Sequence, residues 1–459
     1  EIPDGVDIVI SYEGENKNIE VATLGIPEKP VAKIGETTYT LLEDAINACS
    51  NSNEEQATTI QLINNAYVSR QLNILEGQNI KLDLNDNDII SYVKDETFVN
   101  NGKFEITDST EVNIKINMEE KVDNEYGFIY KDGYLISNNS GVHNSTANSC
   151  IPIDLTAYDG TKLILKVNAK ISSESGRDIG YATLRDSTNT TMPLYSDTNG
   201  RFIYISGSVA EKEYTVELVG GKSYNLYFGY RKDGSSNSND DKFTITDISV
   251  VKKISGLYNF GEAIINNSEM NLGNIRISCY NQGLNTGNIR NVINNTGNMN
   301  INGTIIYGLA YTQPIYNSGN LDVIGGEIIG NGGDYCEGIY NYEDGIANIY
   351  NFSITGCTSN SGRASIYLAG TSQIKIYNIY ISGYSCILSD STHENSIEIY
   401  GGEFKSSFNT MRLNKGNAKM EEKDNSVITM LSNNSECIYT GNNSNLIING
   451  GTITSNRYE

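Results

Sequence analysis

The chain has 459 residues and a formal charge of −23, with 56 Asp and Glu against 33 Lys and Arg, two His, 31 Tyr and no Trp. The negative charge repels phosphate backbones and the Lys and Arg residues form no stripe, which argues against nucleic-acid binding. No apolar run reaches the roughly 18 to 20 residues that cross a bilayer as a helix, so insertion of this segment into a membrane is not expected.

Residues 1–30 read as an N-terminal extension or the tail of a preceding domain, and the opposite end stops within a repeat, so the chain is expected to be a piece of something longer. Residues 31–127 read as a cap and the first coils of a solenoid. Leu41, Leu42, Ala45 and Ile46 fall at helical spacing within 40–49, an amphipathic cover for an open solenoid end. Strand-like runs follow at 59–63, 71–75, 80–84 and 103–107, separated by the turns Glu76-Gly77-Gln78 and Asp86-Asn87-Asp88.

Over residues 128–255 the repeat disappears. Strands at 151–155, 162–171, 179–184, 201–206, 213–218, 223–229 and 242–251 predict an inserted antiparallel β-sandwich. The segment Tyr227-Phe228-Gly229-Tyr230-Arg231-Lys232-Asp233-Gly234 runs into a Ser/Asn/Asp-rich loop ending near Asp241. Aromatic rings, a cation and carboxylates converging there would read a polyol, so Tyr227, Tyr230, Arg231 and Asp233 are candidate sugar contacts. No cofactor is required. A structural calcium ion is the one metal considered, with Asp240, Asp241 and Asp247 as its candidate ligands, because calcium takes several oxygens. The bland alternative makes Tyr227 and Phe228 core residues and the loop merely solvated.

Residues 256–459 carry the strongest signal. Ile293-Asn294-Asn295-Thr296-Gly297-Asn298, Ile315-Tyr316-Asn317-Ser318-Gly319-Asn320 and Ile339-Tyr340-Asn341-Tyr342-Glu343-Asp344-Gly345 open successive units, echoed by Ile366-Tyr367-Leu368-Ala369-Gly370 and Ile438-Tyr439-Thr440-Gly441. Unit starts recur at roughly 21 to 28 residues, one turn of a coil. Apolar residues alternate with polar ones inside each run, as in Ile374-Lys375-Ile376-Tyr377, and period two means strands. Recurrence of the same strand one coil later predicts a right-handed parallel β-helix, continuous with residues 31–127 and with the sandwich projecting from it. Strands about 4.8 Å apart would then stack like residues in columns. Asn295, Asn317 and Asn341 would form one such column at a corner with left-handed backbone. Outward tyrosines, among them Tyr307, Tyr316, Tyr340, Tyr350, Tyr367, Tyr377, Tyr380 and Tyr400, would form another. If Ile349 and Ile376 point inward, Tyr350 and Tyr377 stack into a rigid aromatic platform, which stabilises the coil and offers a surface to a glycan or protein.

Two family resemblances rest on these residues. Val31-Ala32-Lys33-Ile34-Gly35 leading into Tyr39 and Leu42-Glu43-Asp44-Ala45-Ile46, then Thr59-Ile60-Gln61-Leu62 and Asn79-Ile80-Lys81-Leu82-Asp83-Leu84, resemble the opening coil of pectate-lyase-like β-helices in large clostridial-type bacterial surface proteins. Leu135-Ile136-Ser137-Asn138-Asn139, Ile153-Asp154-Leu155-Thr156, the Tyr227 segment and Phe243-Thr244-Ile245-Thr246-Asp247-Ile248 resemble jelly-roll modules of the galactose-binding-like fold. Such modules often bind sugars, and several hold calcium. The resemblances imply a Gram-positive cell-surface or secreted location and a glycan or extracellular protein as partner.

Catalysis has no visible constellation. His143 and His393 sit in polar loops without Ser, Cys or Asp at a known catalytic spacing, and the paired-carboxylate pattern of β-helix glycosidases is missing. Arg276, Arg290, Arg363 and Arg412 lack the Asp cluster a lyase needs. Seven Cys, odd in number and widely spaced, argue against a disulfide framework and read mostly as buried free thiols. The resulting expectation is a non-catalytic, adhesin-like surface module, all-β throughout, that binds a ligand or serves as a rigid stalk. The alternative is a polysaccharide lyase or glycoside hydrolase of the pectate-lyase-like class.

Overall fold

The computed structural model describes residues 8–10, 22–24, 29–49, 56–110, 112–123, 126–188, 200–234, 240–279, 290–309, 311–331, 336–357, 363–390 and 392–456, the first two segments as backbone only. Two compact units result: residues 1–109 with 254–459, and residues 110–253.

The first unit is a parallel β-solenoid, and pairing proves its continuity across the sequence gap. Phe98–Asn100 pairs in parallel with Leu72–Ile74 on one side and with Ile264–Asn266 on the other. Lys103–Thr107 likewise lies between Asn79–Asp83 and Glu269–Gly273. Residue 98 thus meets residue 264 as directly as it meets residue 72. Stacked strands feed inward apolar residues into columns, such as Ile293, Ile315, Ile339, Ile366 and Ile387, all with no exposed surface. One core runs through the whole unit. At its start the helix Leu42–Ala48 buries Leu42, Ala45 and Ile46, as the spacing predicts; buried Gln78 donates to the carbonyl of Ile46 and so ties the helix to the first coils.

The asparagine column is longer than the repeat suggests. Asn100, Asn266, Asn295, Asn317 and Asn341 are fully buried, and each Nδ2 donates to the Oδ1 of the next at 2.7–2.8 Å. The same Nδ2 atoms reach turn carbonyls, as from Asn317 to Gly319 at 3.1 Å, so the column satisfies the backbone groups of each bend. The left-handed backbone expected at these asparagines lies elsewhere. A different bend, one residue wide, carries Asn274, Gly303, Gly325, Asn351 and Asn378 at φ between 51° and 67°, and only Asn or Gly adopts that conformation at small cost. The column asparagines instead turn their side chains inward.

The second unit is a sandwich of two antiparallel sheets. One contains Phe128–Lys131, Tyr134–Ser137, Lys242–Lys252, Lys162–Ser172 and Ser208–Val219, with Asn113–Lys115 also paired to Lys242–Lys252; the other contains Val122–Asp123, Thr146–Asp154, Ser223–Arg231, Ile179–Asp186 and Arg201–Ile205. Its core is separate, built around Leu135, Leu165, Val167, Phe228, Phe243 and Ile245. Residues 110–127, which the repeat pattern places with the solenoid, pair into these sheets through Asn113–Lys115 and Val122–Asp123. Their alternation is too short to reveal which neighbour they join.

Candidate functional site

Of the sandwich candidates, Tyr230 turns into the core. Ser223–Arg231 is flanked by Thr146–Asp154 and Ile179–Asp186, so it is a central strand. Tyr227 is 4% exposed and Tyr230 not at all. The Tyr230 hydroxyl donates to Asp241 Oδ1 at 2.7 Å. The buried Lys232 ammonium bonds Asp241 and lies 3.5 Å from Asp178, while the amides of Gly141 and Asp233 donate to Asp241 and Asp178 at 2.8 and 3.0 Å. Burial pushes the Asp178 carboxyl above its usual range. Burial acts the same way on Asp241, but the bonds from Lys232, Gly141 and Tyr230 outweigh it and hold that carboxyl low. Burial, and then the bond to Asp241, raises the Tyr230 phenol well above an ordinary tyrosine. Of the sugar candidates only the Tyr230 side chain joins this network, whose cation is Lys232 and whose carboxylates are Asp178 and Asp241.

Arg231 and Asp233 are half-buried at the end of the same strand. The three calcium candidates separate: Asp240 is exposed, Asp241 belongs to the buried network, and Asp247 pairs with Lys115 at 2.7 Å. Among the described residues no three His, Cys, Asp or Glu side chains gather as a metal-binding group.

The solenoid candidates turn outward. Ile349 and Ile376 have no exposed surface, whereas Tyr350 and Tyr377 are half-buried, and their rings stack at 4.4 Å with an 8° angle between planes. Register extends the ladder, since Ile376 pairs with Ile399 and so sets Tyr400 beside Tyr377; those rings lie 4.8 Å apart. The Lys423 ammonium covers Tyr400 at 3.8 Å from the ring centre, a cation on a π-face. The Tyr400 hydroxyl donates to Glu398, which, followed by burial, raises that phenol far above the ordinary value. At the other end Ile324, 53% exposed, occupies the ladder position beside Tyr350.

These rings form one wall of a groove of about 1260 Å³ that crosses several coils. Its bend is the left-handed corner at Asn351 and Asn378, where Asn378 Nδ2 donates to Asn351 Oδ1 at 2.9 Å. Tyr380, Glu403 and Thr429 line the opposite wall, and residues 423–427 close one end. Glu403 is paired with Lys405 at 2.8 Å. Stacking decides what the wall offers. The flat faces of Tyr377 and Tyr400 are covered by their neighbours, so the groove receives ring edges rather than the open aromatic platform the sequence suggests.

Reading the sequence for pairs such as Ile376 and Ile399 finds Tyr400, and Glu403 follows Tyr400 by three residues as Tyr380 follows Tyr377; Lys423 carries no such signal, because the corner that holds it is longer. A second stack, Tyr316–Tyr340–Tyr367, spaces its rings at 5.5 and 5.1 Å on another face. Of the arginines weighed for lyase chemistry, Arg363 bonds buried Glu337 at 2.9 Å and Arg412 bonds Asn414 at 3.0 Å. His143 and His393 are both exposed. Compared with known protein families and with curated proteins, the sequence matches none.

Proposed function

We propose that the chain is a non-catalytic, glycan-binding module of a secreted, adhesin-like bacterial surface protein, and that the glycan lies along the Tyr350–Tyr377–Tyr400 groove. The observation that carries this reading is the groove itself. It is a long, preformed channel with a row of stacked tyrosines on one wall and Tyr380, Glu403 and Lys423 around it. A sugar chain matches such a lining, with hydroxyls for the polar groups and C–H edges for the rings. Rings held by stacking lose little freedom on binding, which favours affinity. The net charge of −23 favours a neutral glycan over a polyanion. The likeness of residues 31–90 to pectate-lyase-like β-helices of surface proteins, and of 135–251 to galactose-binding-like jelly rolls, supports the same class of protein.

Screening the chain against an array of neutral oligosaccharides and polysaccharides tests the proposal. Tyr377→Ser and Lys423→Ala should each weaken a detected ligand at least tenfold while the circular dichroism spectrum stays unchanged. A chain that retains no glycan at all would be a stalk holding other domains apart. Cleavage of a polysaccharide, lost in Arg363→Ala or Arg412→Ala, would replace binding with catalysis.

A further inference from the structure

Two sulfurs in the solenoid core face each other. Cys336 and Cys357 are 0% and 1% exposed, and their Sγ atoms lie 3.1 Å apart although 21 residues separate them in sequence. The other five thiols each face oxygen. Cys49 donates to the carbonyl of Ala45 at 3.3 Å, Cys279 to Asn259 Oδ1 at 3.0 Å, Cys386 to the carbonyl of Lys405 at 3.4 Å and Cys437 to Thr410 Oγ1 at 3.4 Å, while Cys150 bonds the Tyr227 side chain. Glycine makes room for the pair: a Cβ on Gly308 would lie 2.9 Å from Cys336 Sγ.

We infer that Cys336 and Cys357 are a site of oxidative modification, closing a disulfide that staples one coil to the next. The oxidant is a small-molecule disulfide. The thiolate of one cysteine attacks it, releasing one small thiol and leaving a mixed disulfide; the second cysteine then attacks the protein sulfur and releases the other small thiol. Two protein thiols are oxidised, one small disulfide is reduced to two thiols, and the two protein protons end on the leaving thiols. The sulfurs need to approach by only about 1 Å to reach a disulfide bond of roughly 2 Å. The bond to the neighbouring Cys336 sulfur, and then burial, raise the Cys357 thiol well above its ordinary value, so the thiolate is scarce in the closed coil. Closure therefore belongs to folding, before the core shuts.

The whole chain is unfolded, reduced and refolded with glutathione disulfide, then unfolded again without reductant and its thiols alkylated. The expected result is loss of two of the seven alkylatable thiols, one digest peptide joining Cys336 to Cys357, and slower proteolysis between these residues than in the reduced chain. Cys357→Ser should give no joined peptide. Seven alkylatable thiols after oxidative refolding, or crosslinks that join other cysteines, would overturn the inference. Should Cys357→Ser fail to fold, the peptide map of the unaltered chain still decides.

Discussion

The same residue type behaves oppositely in the two units. Tyr230 of the sandwich is fully buried and spends its hydroxyl on Asp241, while Tyr350 and Tyr377 of the solenoid stack on the outside with their edges toward a groove. Both groups occupy strands, and both attract attention in the sequence, Tyr230 as an aromatic residue near charges and Tyr350 and Tyr377 as outward members of a recurring column. What separates them is repetition. In the solenoid each strand is paired in register with its own copy, so an inward Ile at 349 and 376 dictates an outward Tyr at 350 and 377. Burial of Ser223–Arg231, by contrast, is unbroken from Leu226 to Tyr230, because a central sandwich strand with large neighbours is covered on both sides, and alternation no longer tells in from out.

That contrast also sets how much was legible. The solenoid, its helical cover, the Ile columns and three members of the asparagine column follow from period two and recurrence. Asn100 and Asn266 belong to the same column, yet the insertion between them hides the repeat that links them. The sandwich strands were legible as strands, but Lys232 was not legible as the centre of a network, since its partners Asp178 and Asp241 come from loops far apart in sequence. The groove was half legible: its ladder and the facing Tyr380 and Glu403 follow from register, while its end at Lys423 lies in a longer corner that the repeat does not record.

The largest effect should come from breaking the inward cluster. Lys232→Met removes the only cation bonded to Asp241 and Asp178 in the buried network described here and leaves two buried carboxylates facing each other. Stripping one partner from a buried ion pair costs about 3–5 kcal/mol, so urea unfolding followed by near-UV signals of the sandwich should show a loss of that order. A loss below about 1 kcal/mol would mean that the cluster is wetter and more outward than its burial indicates.

A smaller loss should follow in the solenoid from Asn317→Ala. This side chain accepts from Asn295 and donates to Asn341, so its removal strips the buried Asn341 Oδ1 of that donor, while Asn295 Nδ2 keeps the carbonyls of Gly297 and Asn320. Such a loss costs about 1–3 kcal/mol. Hydrogen exchange should speed most in the coils that contain residues 295 and 341, because a solenoid loses stability locally. The exposed outer pair sharpens the comparison. Asn300 donates to Asn271 at 2.8 Å on the surface, and Asn300→Ala should stay within about 0.5 kcal/mol. Equal effects at 300 and 317 would show that burial is not what makes the column matter.

The smallest expected effect concerns the outward stacks and depends on pH. Burial, reinforced by the nearby Tyr342 and Glu343, pushes the Tyr316 phenol up to about 12, against about 10 for tyrosine in an unfolded chain. The folded state thus holds this proton more tightly than the unfolded state. The corresponding stability is complete below pH of about 10 and drains away as pH rises toward about 12. Tyr316→Phe removes the ionisable hydroxyl and keeps the ring that stacks on Tyr340, so its melting temperature should fall less than that of the parent chain across this interval, with little difference at neutral pH. Absorbance titration supplies the complementary reading: the Tyr316→Phe difference spectrum should titrate near 12. A midpoint near 10 with the coil still folded would mean that the rings of the Tyr316–Tyr340–Tyr367 stack stand as freely in water as any surface tyrosine.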